Sequence, residues 1–324
     1  MKSDDINIYN KVLEYICLEL SHSLGVIDNE YKKSIEEIRL RVGMPLNVYL
    51  KGEDYFVSPN GRLNKGERDG ILVQSNHIYK TFQLISNYSI YAFQEEIRNG
   101  FITLKGGHRV GVGGKVLYGN NGIETIKNIS SLNIRIAREK IGVSNNILPY
   151  ILDFHNSIYN TLIISPPQCG KTTLLRDIIR NLSNGDLPKR RGFKIAIIDE
   201  RSELSGMYNG VPQHNIGIRT DVLDGCNKKD GTTILIRAMS PDIIAMDEIG
   251  GIGDVEAIHE SLKAGIRVIA TVHGNSLEDL LSKRSLRILI EERVFDRYIF
   301  LDNSMGVGTV KEILQGKDFK PIRK

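Results

Sequence analysis

The chain has 324 residues, about twice the usual length of a domain, so its length favours two domains. Hydrophobic residues make up 41% and charged residues 25%, a composition that favours a globular protein over wholesale disorder. The 43 basic and 39 acidic side chains leave a net charge of +4, which gives no indication of a nucleic-acid or anionic-lipid partner.

The N-terminal segment and the cysteines bear on cellular location. The first twenty residues include Asp4, Asp5, Glu14 and Glu19, unlike the basic head and apolar centre of a signal peptide. No run reaches the roughly 18–20 apolar residues that cross a bilayer. The three cysteines have no CxxC spacing, which favours a reducing compartment. We therefore expect a cytoplasmic protein, which could still reach a membrane through a partner.

The first half of the chain changes its hydrophobic period several times. Residues 38–42 alternate between aliphatic side chains and arginine, and residues 47–57 form two alternating runs around a glycine-containing turn, which predicts a hairpin. Residues 76–100 have helical spacing, and residues 101–128 return to strands broken by glycines. These patterns predict a smaller α+β domain over residues 1–140.

A composition rich in Gly, Ser, Asn and Pro predicts a linker at residues 141–149, followed by a second domain at 150–324. In the second domain, four short β-branched runs are uninterrupted, which is typical of parallel strands buried on both faces. Helical patterns separate them, so the domain is predicted to be α/β, with a mostly parallel sheet and helices on both faces. The runs are TLIIS (161–165), IAIID (195–199), DIIAMDE (242–248) and IRVIATVH (266–273).

The most specific motif follows the first of these runs. In SPPQCGKTTLLRDII (165–179) a tight loop leads through Gly170 into an amphipathic helix, an arrangement that directs backbone N–H groups at phosphate oxygens. Lys171 would reach the β- and γ-phosphates and the Thr172 hydroxyl would ligate Mg²⁺, so the motif predicts ATP and Mg²⁺ as cofactors. The predicted nucleotide contacts are Ser165, Pro166, Pro167, Gln168, Cys169, Gly170, Lys171, Thr172 and Thr173.

One residue of this loop departs from the P-loop signature. Ser165 stands where the signature has its first glycine, and two prolines stiffen the loop after it. A serine fits if its φ is negative but is strained if the turn needs a positive φ. The motif therefore predicts nucleotide binding and leaves its tightness open.

Two acidic residues, Asp247 and Glu248, end the third apolar run, at the edge where open α/β sheets bind their ligands. One carboxylate can hold the Mg²⁺ shell while the other polarises the attacking water. Thr172 and Asp247 are the predicted metal ligands, and both acids are candidates for catalysis, because the sequence does not assign the two tasks. The alternative is a helix N-cap with an acidic first turn.

The other two strand ends also carry polar side chains. Asp199 and Glu200 end the second run and are predicted to be catalytic, although a charged surface turn would look the same. His273 ends the fourth run, where it could sense the γ-phosphate by hydrogen bonding, whereas a single histidine is usually structural.

Arginine side chains often neutralise the charge that develops on a transferred phosphoryl group. Arg219 and Arg237 lie in the second half and are candidates for this task. Arg109, Arg135 and Arg138 lie in the first half, near the predicted boundary, and could take the same task. Most arginines are solvated surface groups, so each of these is a weaker prediction than the motifs above.

The four strand ends resemble, in order, the Walker A, acidic, Walker B and histidine boxes of the type II and type IV secretion ATPases. ISPPQCGKTTLLRD, IIDERSEL, RAMSPDIIAMDEIG and GIRVIATVHGNS are similar more specifically to the stage III sporulation protein AA family of endospore-forming bacteria. IEEIRLRVGMPLNVYL and GHRVGVGGKV resemble the N-terminal domain of that family, so the resemblance covers nearly the whole chain.

This resemblance implies a RecA-like P-loop ATPase domain behind a smaller N-terminal domain, assembled as a hexameric ring. It implies an ATP-hydrolysing motor at the cytoplasmic, mother-cell face of a membrane, where it energises a secretion-like channel to the forespore with membrane proteins of the same complex. Asp247 departs from the secretion ATPases, which often have glycine there. The residues that match the family's functional positions are Lys171, Thr172, Glu248, Asp199, Glu200 and His273. Arginines of the N-terminal domain approach the phosphates in the secretion ATPases, so the resemblance implies that Arg109, Arg135 and Arg138 are candidates to act on the site of a neighbouring subunit.

Two other functions are compatible with the sequence. A P-loop protein of this kind could bind single-stranded nucleic acid through the basic segments 187–194 and 317–324, although the low net charge and the lack of interleaved aromatics make nucleic acid an unlikely partner. A third possibility is a nucleotide-binding assembly scaffold in which Ser165 has weakened hydrolysis.

Overall fold

The protein is represented by a computed structural model that describes residues 2–120, 122–153, 157–185, 191–304, 306 and 308–323. The chain forms two compact units. One holds residues 1–138 together with 208–213, and the other holds residues 139–207 and 214–324. Among the described residues no helix is long and apolar enough to cross a membrane.

The first unit is built on a seven-stranded antiparallel sheet in the order β4-β3-β2-β1-β7-β6-β5. Its strands are β1 (Ile35–Arg41), β2 (Asn47–Leu50), β3 (Glu53–Val57), β4 (Leu63–Asn64), β5 (Phe101–Thr103), β6 (Arg109–Gly119) and β7 (Gly122–Arg135). Its helices are α1 (Lys2–Leu13), α2 (Leu18–Gly25), α3 (Asn29–Lys32), α4 (Ser75–Ile85) and α5 (Gln94–Arg98), with a 3₁₀ turn at Ile90–Phe93.

Alternation along the strands decides which face of this sheet is buried. On β1, Ile38 and Leu40 are fully buried in the apolar core of this unit, while Arg39 lies on the opposite face. Their partners on β7 are Ile134 and Leu132, so apolar side chains continue across the strand pair. Because neighbouring residues of a strand point to opposite faces, this pattern leaves the second face polar.

The second unit is built on an eight-stranded sheet in the order β10-β9-β11-β12-β8-β13-β14-β15. The pairings from β10 to β13 are parallel, and β14 and β15 add antiparallel strands at one edge. The strands are β8 (Thr161–Ser165), β9 (Ile195–Asp199), β10 (Thr220–Asp224), β11 (Ile243–Met246), β12 (Arg267–His273), β13 (Arg297–Asp302), β14 (Thr309–Gln315) and β15 (Pro321–Arg323). The helices are α6 (Leu148–Ile151), α7 (Lys171–Asn184), α8 (Lys228–Met239), α9 (Ile252–Lys263), α10 (Leu277–Ser282) and α11 (Arg284–Glu291).

The structure places a strand at each of the four apolar runs that the sequence predicts. All five residues of β8 are buried, with Leu162 and Ile164 in one apolar cluster and Ile163 in the cluster on the opposite face. Such strands lack alternation because helices cover both faces of the sheet. Since β8, β9, β11 and β12 run parallel, their carboxyl ends lie at one edge, and the predicted site residues follow these ends.

A buried polar cluster fastens the segment before the second sheet to helix α7. The Asp177 carboxylate accepts hydrogen bonds from the backbone N–H of Gly142 at 3.1 Å and of Ser144 at 2.8 Å. The Ser144 hydroxyl at 2.7 Å and the Arg180 guanidinium at 2.9 Å also donate to it. Burial raises the pKa of Asp177, but these donors outweigh burial and hold that pKa below its ordinary value.

Replacing Asp177 with alanine is expected to destabilise the protein by about 3 kcal/mol, because two backbone N–H groups and the buried Arg180 lose their common acceptor. Asp177→Asn keeps one acceptor oxygen and is expected to lose less. The midpoint of urea unfolding measures both, with the exposed Asp221→Ala as control. Unfolding of Asp177→Ala at the wild-type midpoint would contradict this account of the cluster.

Candidate nucleotide site

The loop between β8 and α7 has two residues in the left-handed backbone region. Gly170 precedes the first residue of α7 and has a φ of 82°, and Gln168 also lies in the left-handed region with a φ of 62°. Ser165 is not among the residues of positive φ, and its hydroxyl donates to the Pro166 carbonyl at 2.8 Å. The position that departs from the P-loop signature is therefore one that a serine occupies without backbone strain.

The two acids after β11 contact the two functional side chains of the P-loop. Lys171 Nζ lies 2.6 Å from Glu248 Oε1, and the Thr172 hydroxyl donates to Asp247 Oδ2 at 2.8 Å. Thr271 on β12 also hydrogen-bonds Asp247, and its Oγ accepts the backbone N–H of Glu248 at 2.9 Å. These contacts distinguish the two acids, because Asp247 lies beside the hydroxyl and Glu248 beside the ammonium group.

Glu248 is the most heavily contacted acid of the site. Its Oε1 also lies 2.9 Å from Nε2 of His273, and its Oε2 accepts a hydrogen bond from Arg201 at 2.8 Å. Partial burial alone would raise the pKa of Glu248. The hydrogen bond and the charge of Lys171, together with His273, outweigh burial and lower this pKa to about 2. The carboxyl is therefore ionised at neutral pH and neutralises a nearly buried lysine.

The Thr172 and Asp247 oxygens suit a magnesium ion in chemical type, because Mg²⁺ prefers hydroxyl and carboxylate oxygens. Their hydrogen bond shows that the two oxygens lie 2.8 Å apart, close enough to be ligands of one ion. Among the described residues no group of three or more His, Cys, Asp or Glu side chains could hold a metal. Two protein oxygens are nevertheless what a Mg²⁺ site uses when water and substrate phosphates complete the shell.

The acidic strand end at β9 is hydrogen-bonded to the loop that follows it. The buried Asp199 carboxylate accepts the backbone N–H groups of Glu203, Leu204 and Ser205 and the Ser205 hydroxyl, at 2.6–3.1 Å. These bonds tie Asp199 to the loop that follows the strand. Asp199 also lines a cleft with Asp247 and Glu248, so its predicted catalytic role stays a prediction.

Glu200 lines a cleft together with Asp247 and Glu248, and its side chain pairs with Lys228. Lys228 is the first residue of α8 and is almost fully buried, and its Nζ lies 2.7 Å from Glu200 Oε2. Sequence reasoning missed this lysine, because a lysine at the start of a helix is usually solvated. Arg201 was also missed as a site residue, although it follows directly after the acidic pair.

The arginine candidates separate into two groups. Arg219 donates to the carbonyls of Ser183 and Asn184, so it caps the far end of α7 from the P-loop, and this geometry removes it from the catalytic candidates. Arg237 lies on an exposed part of α8, about 13 Å along the helix from Lys228. Its predicted catalytic role stays a prediction.

The three arginines of the first unit also differ from one another. Arg138 donates to the carbonyls of Lys32 and Ile35, so its guanidinium fastens this unit together and is a poor candidate for phosphate. Arg109 and Arg135 are direct cross-strand partners on β6 and β7. The Arg109 guanidinium covers the Phe101 ring at 3.7 Å, and the Arg135 side chain is 59% exposed.

The fold of the chain is the α/β fold of known ATPases. The ATPase DotB of Legionella pneumophila matches with a TM-score of 0.54 at 16% identity, over 93% of this chain and 80% of that one. The pilus retraction motor PilT with bound ADP matches with a TM-score of 0.51 at 13% identity, over 87% and 76% of the two chains.

Sequence comparison gives the family. Residues 8–320 match the family described as "Sporulation stage III, protein AA". The chain is 42% identical to stage III sporulation protein AA of Bacillus subtilis over 307 residues, which is 94% of each protein. The chain belongs to the stage III sporulation protein AA family.

Proposed function

We propose that this protein hydrolyses ATP with Mg²⁺ and works as a RecA-like motor of the secretion-ATPase type. The observation that carries the proposal is the pairing of Lys171 with Glu248 and of Thr172 with Asp247 at adjacent strand ends. One pair holds the charges that a γ-phosphate and its attacking water need, and the other holds the oxygens that a magnesium ion needs. The likeness to DotB and PilT supports the fold of such a motor.

The proposed chemistry assigns one task to each acid. Lys171 leaves Glu248 for the β- and γ-phosphates, and loss of this cation raises the pKa of Glu248 and makes it a better proton acceptor. Glu248 then takes a proton from water as the water oxygen bonds to the γ-phosphorus and the bond to the β–γ bridging oxygen breaks. In this proposal His273 Nε2, 2.9 Å from Glu248 Oε1, hydrogen-bonds the γ-phosphate. Mg²⁺, when bound by Thr172 and Asp247, would neutralise phosphate charge.

We also propose that the working form is a hexameric ring at the cytoplasmic, mother-cell face of a membrane. Family membership supports a role in sporulation, and the proposed partners are membrane proteins of the same channel complex. In this proposal Arg109 and Arg135 of one subunit approach the phosphates bound to the next. Their adjacency on β6 and β7 supports the pair acting together.

The proposal predicts that ATP turnover with Mg²⁺ rises more steeply than protein concentration, because a neighbouring subunit completes each site. The measurement is phosphate release per chain over a hundredfold range of concentration. The control is Lys171→Ala, which is expected to lower turnover at least a hundredfold by removing the phosphate-binding ammonium group. A rate that stays at background in both proteins at all concentrations would reject hydrolysis by this chain alone and favour the scaffold.

Nucleic acid is not part of the proposal. Of the basic segment 187–194, residues 187–190 lie outside the described residues, as does residue 324 at the end of 317–324. A salt-dependent shift with a single-stranded oligonucleotide, lost when Arg190 and Arg191 are neutralised, would bring this function back.

A further inference from the structure

A nucleotide that binds this site must change the partners of Glu248. In the structure, Oε1 of Glu248 contacts both Lys171 and His273, and Oε2 contacts Arg201. Lys171 has a single ammonium group, and the P-loop directs it at phosphate oxygens. Once phosphate takes Lys171, Glu248 loses its nearest cation and faces a new negative charge.

The backbone of Glu248 is held in place, but it does not determine where the carboxylate points. Its φ is 54°, in the left-handed region, and its N–H donates to Thr271. These two features determine the position of the Glu248 Cα atom and the direction of its Cα–Cβ bond. The direction of the carboxylate then depends on the contacts of its two oxygens, and only the contacts with Arg201 and His273 do not involve the P-loop.

Arg201 is 62% exposed, but the loop that carries it is anchored. Asp199, two residues earlier, accepts three backbone N–H groups of residues 203–205. Arg176 of α7 donates to the carbonyls of Glu203 and Leu204 at 2.5 and 2.7 Å. These bonds close the loop on both sides of Arg201, so the guanidinium extends from a fixed base.

We propose that Arg201 is a positioning residue that holds Oε2 of Glu248 when Lys171 moves to the phosphate, so that Oε1 stays directed at the attacking water. The inference rests on the proposed hydrolysis and adds a residue to it. A guanidinium suits the task because it remains charged and its N–H groups lie in a fixed plane. Without Arg201, repulsion from the phosphate would turn the carboxylate away.

The test measures kcat and KM for ATP in Arg201→Ala and Arg201→Lys. Arg201→Ala is expected to lower kcat about tenfold and to change KM less than twofold, because the residue acts on Glu248 and not on bound nucleotide. Arg201→Lys keeps a cation and is expected to recover at least a third of the rate. The control is Lys229→Ala, which breaks an exposed ion pair of similar length, 2.7 Å, with Glu256.

The possible outcomes distinguish a failure of the role of Arg201 from a failure of the proposed ATP hydrolysis. Active wild type with Arg201→Ala within twofold of its kcat would overturn the role of Arg201 alone. A raised KM at unchanged kcat would overturn it too, because it would place Arg201 on the nucleotide. Wild type without turnover at any concentration would reject the proposed hydrolysis and this role together. Both variants are expected to unfold at the wild-type temperature, because the Arg201 side chain is 62% exposed.

Discussion

Replacing Glu248 with glutamine is expected to lower ATP turnover at least a hundredfold and, at the same time, to tighten ATP binding about tenfold. Turnover falls because the amide cannot accept the proton of the attacking water. Binding tightens because Lys171 no longer has to leave a carboxylate 2.6 Å away before it can contact phosphate. Turnover is expected to fall while affinity rises, so this one variant tests both the proton transfer by Glu248 and its competition with phosphate for Lys171.

Phosphate release under saturating ATP gives the rate, and titration with a fluorescent, non-hydrolysable ATP analogue gives the affinity. Glu256→Gln is the matched control, since Glu256 is an exposed glutamate on α9 that pairs with Lys229. Weaker binding in Glu248→Gln would show that the Lys171–Glu248 pair does not compete with nucleotide. Wild-type turnover in this variant would remove Glu248 from the proton transfer.

Replacing Asp199 with alanine is expected to destabilise the protein by about 3 kcal/mol, because three backbone N–H groups and a buried hydroxyl lose their acceptor together. Asp199→Asn keeps one oxygen acceptor and is expected to fall between alanine and wild type. A residue that acted only on the phosphate would behave differently, since its removal would change turnover and leave stability unaltered.

The free energy of unfolding in urea measures this effect. Turnover is expected to fall as well, because a loosened loop no longer holds Arg201 against Glu248. Excess ATP should not restore the rate, since the defect is not in binding. An Asp199→Ala protein with wild-type stability and no activity would return Asp199 to the phosphate.

The parts of the fold that can be predicted are those whose cause lies within one short stretch of sequence. The residues of β8 and β9 are uninterrupted apolar runs because both faces of the sheet are covered, and this is visible without knowing the neighbours. The Thr172–Asp247 contact was also predictable, since a P-loop hydroxyl and an acid at a strand end serve one metal.

Other site features depend on which strands are neighbours. Arg201 and Glu248 meet because β9 pairs directly with β11, although 47 residues separate the two side chains. Arg219 looked catalytic from its surroundings in the sequence, but its partners at the end of α7 lie 35 residues or more away. A charged side chain shows its chemistry in the sequence, whereas its partner is decided by the packing of distant elements.

The bonds between Asp177 and Gly142 and Ser144 have a consequence for how the two halves of such a chain could evolve. A segment whose composition suggests a passive spacer carries donors that the helix behind the P-loop depends on. An exchange of N-terminal domains that joined the pieces at residue 150 would leave the Asp177 carboxylate and the Asn181 amide without these partners. Residues 142–144 would therefore have to travel with the half of the chain that contains α7.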